Sequence, residues 1–249
     1  MAKGLPIPRA LYMLSLAVWA LTSSGQAKGP SENANERAAK VHGQLWHNDE
    51  QGETIAKRLE NKPTGIIILT NSSDSGENFG AIALAPPYPP IRMVGFACQS
   101  DAIVVGTPES GVSHMTADLD FIYSEWKVRI TSVLQDNPKA PIFGSNKISV
   151  VRAGGLLTIN GRSVVGQEKD FFQFQPGDDY LLYLKYIPET GFYKAIGGRS
   201  FNLSHGPVIG APYIGDWTTK VHIDKLLRDT KAAISAAGTA AYCGKGRNK

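Results

Sequence analysis

The stretch FIYSEWKVRITSVLQ (121–135) decides the fold. Ile122, Trp126, Val128, Ile130 and Leu134 fall on one side of an extended chain, with the small Ser124 and Ser132 in phase. Glu125, Lys127, Arg129 and Thr131 fall on the other side. Such alternation is the period of a strand with one buried face. The run covers about 13 residues, well beyond the five or six of an ordinary strand. A strand of that length coils and serves two parts of a closed sheet.

The flanking segments supply partners for it. CQSDAIVVGTP (98–108) sets Cys98 at the entrance of an apolar strand, and KISVVRA (147–153) reads as another strand after a proline-bearing loop. Gly154–Gly155 marks a bulge or bend rather than a phosphate cradle. In LLTINGRSVV (156–165), Asn160–Gly161 stands between two apolar runs, and both turn positions favour positive φ. That is a hairpin signal. FQPGDDY (174–180) turns through Pro176–Gly177 into YLLYLKYI (180–187), a nearly continuous apolar run that belongs at the centre of the sheet. A turn at 188–191 leads to a further strand, and RSFNLSHGPVIG (199–210) adds one or two short ones. Ile223, Leu226, Leu227, Thr230, Ala233, Ile234 and Ala237 then form a helical stripe that Gly238 ends, with Asp224 and Arg228 spaced for an ion pair.

The N-terminal part is different in character. Lys3 and Arg9, the apolar run from Ala10 to Leu21, and Gly25 and Ala27 at the −3 and −1 positions have the layout of a secretory signal cleaved near Ala27. The apolar run is too short for a membrane span, which needs about 20 residues. No later stretch has transmembrane length. Residues 28–90 read as a loosely packed arm and proline-rich linker: a helix from Glu32 broken near Gly43, a helical turn at ETIAKRLEN (53–61), and a buried strand at TGIIILTN (64–71). APPYPPIRM (85–93) favours extended polyproline conformation. The barrel itself is expected over 91–215, with the C-terminal helix and tail over 216–249.

Removal of the signal takes Lys3 and Arg9 with it and leaves 24 basic residues against 22 acidic. That balance argues against nucleic acid as a partner. Export places Cys98 and Cys243 in an oxidising compartment, where only one intramolecular pairing exists for them; two unpaired thiols are the alternative.

The order of these segments resembles the netrin/TIMP-like version of the OB-fold, a five-stranded Greek-key barrel, and is similar to secreted bacterial proteins that carry the same run. The matching features are CQSDAIVVG (98–106), VRITSVL (128–134) and PGDDYL (176–181), within roughly residues 97–203. The resemblance implies a mainly β, OB-like barrel followed by an amphipathic helix. It implies no activity. TIMP-type inhibitors bind a protease zinc through the amine of an N-terminal cysteine, and Cys98 lies far inside this chain.

Chemistry-bearing patterns are sparse. GRSVVG (161–166) lacks the spacing of a nucleophile elbow, and no H-E-x-x-H, Walker loop or dinucleotide fingerprint occurs, so no cofactor is expected. His42 and His47 read as solvent-facing. Asp118 and Asp120, with His114 four residues before Asp118, form a weak loop-site candidate. Aromatic residues concentrate at Phe171, Phe172, Phe174, Tyr180, Tyr183, Tyr186, Phe192 and Tyr193, and serve either as a stacking platform or as core. Three functions follow. The leading one is a secreted or periplasmic, non-enzymatic module that binds a protein or cell-envelope component. The others are a carbohydrate-binding module using the aromatics, and a hydrolase with a dispersed site.

Overall fold

In the computed structural model, residues 32–46, 54–61, 66–71, 91–168, 173–206, 208–209, 220–238 and 243 are described. Five strands close a barrel: β2 (Ala102–Met115), β3 (Ile122–Gln135), β4 (Lys147–Ala153), β7 (Tyr180–Ile187) and β8 (Phe192–Asn202). Their order around it is β2-β3-β4-β8-β7. All neighbours are antiparallel except β4 and β8, which pair in parallel through Val150 and Val151. This Greek-key closure is that of an OB-like barrel.

The long strand forms, but it does not keep one phase. Opposite β2, the register jumps at Thr131 and again at Leu134, each an extra residue on β3. A bulge shifts the following side chains to the other face. Trp126, Val128 and Ile130 therefore point into the barrel together with Val133. Leu134, expected on that same face, packs outside it against the helical layer.

The barrel interior holds Val104, Val128, Val150, Phe174, Leu182 and Tyr193. A second apolar layer lies outside β2 and β7, where Ile103, Leu181 and Tyr183 meet α3 (Ile91–Gln99) and α4 (Ile223–Ala237). Both faces of β7 are thus covered, which explains its unbroken apolar sequence. Leu226, Thr230 and Ala233 are the buried stripe of α4, and its i, i+4 ion pair is Lys225–Asp229 at 2.6 Å rather than the expected Asp224–Arg228.

Helix α3 corrects two expectations. Residues 91–93 are helical, not extended, and Cys98 occupies the last turn of this helix rather than a strand entrance. Met93, Val94, Phe96 and Ala97 recur at helical spacing and are all buried, so tertiary packing selects helix in a run too short to show its period. Cys98 is disulfide-bonded to Cys243, with a Cα–Cα distance of 5.4 Å. The bond links α3 to the segment after α4. Residues 85–90 of the proline cluster lie outside the described residues.

A third layer covers the outward side of β3 and β4, and the N-terminal segment supplies much of it. Helices α1 (Glu32–His42) and α2 (Ile55–Asn61) form where the sequence expects them. Strand β1 (Ile67–Asn71) pairs in parallel with β6 (Arg162–Glu168), whose other neighbour is β5 (Gly155–Ile159). Trp46, Ile55, Ile67 and Leu69 are buried against Phe121, Tyr123, Val151 and Val164. The described part of the arm is therefore packed more closely than its polar composition suggests. The strand expected at 64–71 is buried on one face only: Ile67 and Leu69 turn inward, while Ile66 and Ile68 remain 66% and 55% exposed. The β5–β6 hairpin turns through Asn160 and Gly161, with φ of 51° and 75°, as the sequence requires. Gly154, also at positive φ, bends the chain where β4 leaves the barrel for this small sheet.

Candidate functional site

The chemistry-bearing side chains that the fold brings together lie where α1 crosses the barrel. His42 ends α1 and is fully buried. Its Nδ1 is 2.7 Å from Glu125 Oε1 on β3, and its Nε2 is 2.9 Å from Thr190 Oγ1 in the β7–β8 turn. A carboxylate only accepts, so Nδ1 carries the proton; in the neutral ring Nε2 then accepts from the Thr190 hydroxyl. This corrects the solvent-facing position that the local sequence suggests for His42. Its polar neighbours in the chain carry no sign that α1 lies over the outward face of β3.

His114, near the end of β2, stacks on Tyr123 with ring centroids 5.3 Å apart and brings Nε2 to 3.9 Å from Glu125 Oε2. Trp46 stacks on the ring of Tyr123 at 5.7 Å. The Tyr123 hydroxyl is buried without a hydrogen-bond partner among the described residues. Burial, reinforced by the charge of Glu125, pushes it up to about 12. Burial also pushes the Glu125 carboxyl up. The hydrogen bond from His42 and the charges of His114, His42 and Lys127 pull it down further, so it sits below the usual carboxylate range. A cleft of about 750 Å3 opens here, lined by Arg37, Val112, His114, Glu125, Glu189 and Phe192 among others.

Of the described residues that the sequence singled out, His114 and Phe192 line this cleft and the others lie elsewhere. The carboxylate that meets His114 is Glu125. Asp118 is exposed in the β2–β3 turn, and Asp120 accepts from Thr116 Oγ1 at 3.2 Å in the same turn. Phe174, Tyr180, Tyr183 and Tyr193 are core: the first two and Tyr193 fill the barrel, and Tyr183 donates to or accepts from Thr230 Oγ1 at 3.1 Å beneath α4. An exposed stacking platform built on these four is ruled out by their burial. Phe192 is half-buried at the cleft, and Tyr186 is half-buried beside Tyr193. Phe171, Phe172 and His47 lie outside the described residues.

Thr190, His42 and Glu125 have the connectivity of a nucleophile, a base and its orienting carboxylate. The main-chain donors beside the hydroxyl are already engaged, however. The N–H groups of Thr190 and Gly191 bond to Ile187 O, and that of Phe192 bonds to Thr190 Oγ1. None of these three is left to stabilise an oxyanion. Among the described residues, no group of three or more His, Cys, Asp or Glu could hold a metal ion. The arrangement thus ties α1 to the barrel and leaves a polar cleft beside the tie.

No protein-family model matches this chain, and no curated protein sequence matches it. The class is defined by geometry: a closed, OB-like five-stranded barrel with a disulfide-linked helical layer on one side and an N-terminal layer on the other.

Proposed function

We propose that this chain is an exported, non-enzymatic binding module that takes a segment of a protein or cell-envelope component into the cleft between α1 and the barrel. One observation carries the reading: the barrel interior is mainly apolar, its buried Arg152 lying over the Phe174 ring, while Arg37, His114, Glu125 and Glu189 line one open cleft. In OB-folds, ligands lie on the face of the second and third strands, between the loops that follow the first and fourth. The cleft shares part of that place, with Glu125 of β3 and Glu189 and Thr190 of the β7–β8 turn in its lining beside Val112 and His114 of β2. Both charge signs line it, beside Val112 and Phe192, which suits a peptide segment better than a sugar or a polyanion. The Cys98–Cys243 bond supports an oxidising compartment and so agrees with an export signal ending near Ala27. Among the described residues no helix is long and apolar enough to cross a membrane. The netrin/TIMP-like likeness belongs to this proposal for architecture alone.

The test is co-purification from envelope extract followed by mass spectrometry, with the wild-type chain and with Val112→Arg. Val112 is 61% exposed on the cleft wall, so the change blocks the cleft and spares the core. A partner retained by the wild type and lost by the variant supports the reading. A partner retained equally by both places binding elsewhere.

A hydrolase is the second reading, favoured by the Thr190–His42–Glu125 connectivity. It requires ester or amide turnover that Thr190→Val abolishes. Equal turnover by both proteins ends it.

A further inference from the structure

A second hollow, of about 550 Å3, lies between α2, the β2–β3 turn and the β5–β6 hairpin. Ile55, Leu59, Met115, Leu119 and Ile159 give it a mainly apolar wall, and Arg162 is the only cation among its described lining residues. Arg162 Nη1 donates to Leu59 O at 2.7 Å. That carbonyl is among the last four of α2, which have no intrahelical partner. The bond accounts for one nitrogen of the guanidinium and holds its plane. Nε and Nη2 are both out of contact with water, and neither has a hydrogen-bond partner among the described residues.

These two N–H groups share one edge of the guanidinium, the edge that meets both oxygens of a carboxylate at once. Buried donors are nearly always satisfied, so two adjacent unpaired donors call for an explanation. Capping of α2 explains Nη1 only. We propose that the hollow binds a small amphipathic carboxylate, with its alkyl chain against Leu59, Met115 and Leu119 and its carboxylate on the Nε–Nη2 edge of Arg162.

The chemistry excludes the neighbouring classes. A neutral alkyl ligand leaves both Arg162 donors unpaired. A multiply charged anion finds, among the described residues, a single cation, an apolar wall and the carboxylate of Glu60 in the same hollow. The volume is within the range of small-molecule sites. Both donors are out of contact with water, so the wall side chains must part as the carboxylate enters. Met115 has a flexible thioether, and Leu119 stands 49% exposed in the turn.

Calorimetric titration of the full chain, disulfide intact, tests this with decanoate, decanol and decyltrimethylammonium below their micelle concentrations. Decanoate should bind one to one, decanol about tenfold or more weakly, and the ammonium compound not at all. Arg162→Lys should weaken decanoate at least about tenfold, because an ammonium lacks the two-donor edge. Ala56 is exposed on α2 and lines the hollow, so Ala56→Trp should block decanoate without unfolding the protein, and it serves if the Arg162 variant misfolds. No decanoate binding to the wild type overturns the proposal. So does equal binding of decanol, or undiminished binding by either folded variant. Binding of an apolar peptide with a free C-terminus, where decanoate fails, likewise overturns it in favour of a peptide site.

Discussion

Replacing Cys98 and Cys243 together by serine should cost the native state about 5 kcal/mol. The bond joins residues 145 apart in sequence. On the chain-entropy account, opening a loop of that length releases roughly 5 kcal/mol of freedom in the unfolded chain. Packing in the native state changes little, because Leu226, Thr230 and Ala233 still dock α4 against the barrel. For a domain of this size each kcal/mol moves the Tm by about 2–4 °C, so the midpoint should fall by about 10–20 °C. Scanning calorimetry of the oxidised protein, the reduced protein and the double variant measures this directly. Reduced wild type and double variant should coincide. Urea titration separates the mechanisms: an unfolded chain released from its crosslink expands, so the m-value should rise. Hydrogen exchange should show the amides of 226–237 losing protection before those of β3. A fall in Tm below about 3 °C, or a large fall with the m-value unchanged, would refute the attribution to the unfolded chain.

Other expectations concern the tie between α1 and the barrel, and the packing beneath α4. Glu125 titrates below the ordinary carboxylate value, so its contribution to stability is complete above pH of about 4.5 and disappears as the pH falls through the lowered value. Glu125→Gln should therefore flatten the acid side of the stability profile, measured by urea midpoints between about pH 3 and 7; a parallel shift at all pH values speaks against this. His42→Ala should destabilise by about 2–3 kcal/mol in urea unfolding, since it strands a half-buried carboxylate and a hydroxyl. Tyr183→Phe and Thr230→Val should each cost about 1–2 kcal/mol and the pair together much less than their sum, because each single change leaves the other buried hydroxyl unpaired. Additive losses would mean that the hydroxyls do not interact. Gly106→Val should cost about 2–3 kcal/mol, as even a Cβ there falls 2.8 Å from Val128 Cγ1 inside the barrel; thermal denaturation with an unchanged midpoint contradicts that packing.

Local order is legible wherever neighbouring residues carry the signal. The alternation of 126–130, the Asn160–Gly161 turn, the continuous apolar run of 180–187 and the stripe of 223–237 each report geometry set within a few residues, whereas Ile122 packs in the outer layer beside Tyr123. The five-stranded Greek-key closure is expected only from the resemblance to OB-type barrels, and the observed order β2-β3-β4-β8-β7 agrees with it. Two kinds of feature escape. The bulges at Thr131 and Leu134 come from fitting one long strand around a curved sheet, and nothing in TSVL distinguishes it from an unbroken alternation. The helix at 91–99 is chosen by the surface that receives Met93 and Phe96, not by its own periodicity.

The sites belong to the tertiary structure almost entirely. His42 meets Glu125 across 83 residues and Thr190 across 148, and Arg162 meets Leu59 across 103. Side chains that far apart have no common pattern in sequence; barrel closure and the packing of the N-terminal layer bring them within hydrogen-bond range. By itself the sequence determined that there would be a barrel with a mainly apolar interior and a helix at its end, because backbone geometry and burial act on residues and their near neighbours; the burial of Arg152 against Phe174 was not legible in it. Which polar groups would be left facing a cleft, and which donors unpaired, was decided only when distant segments covered one another.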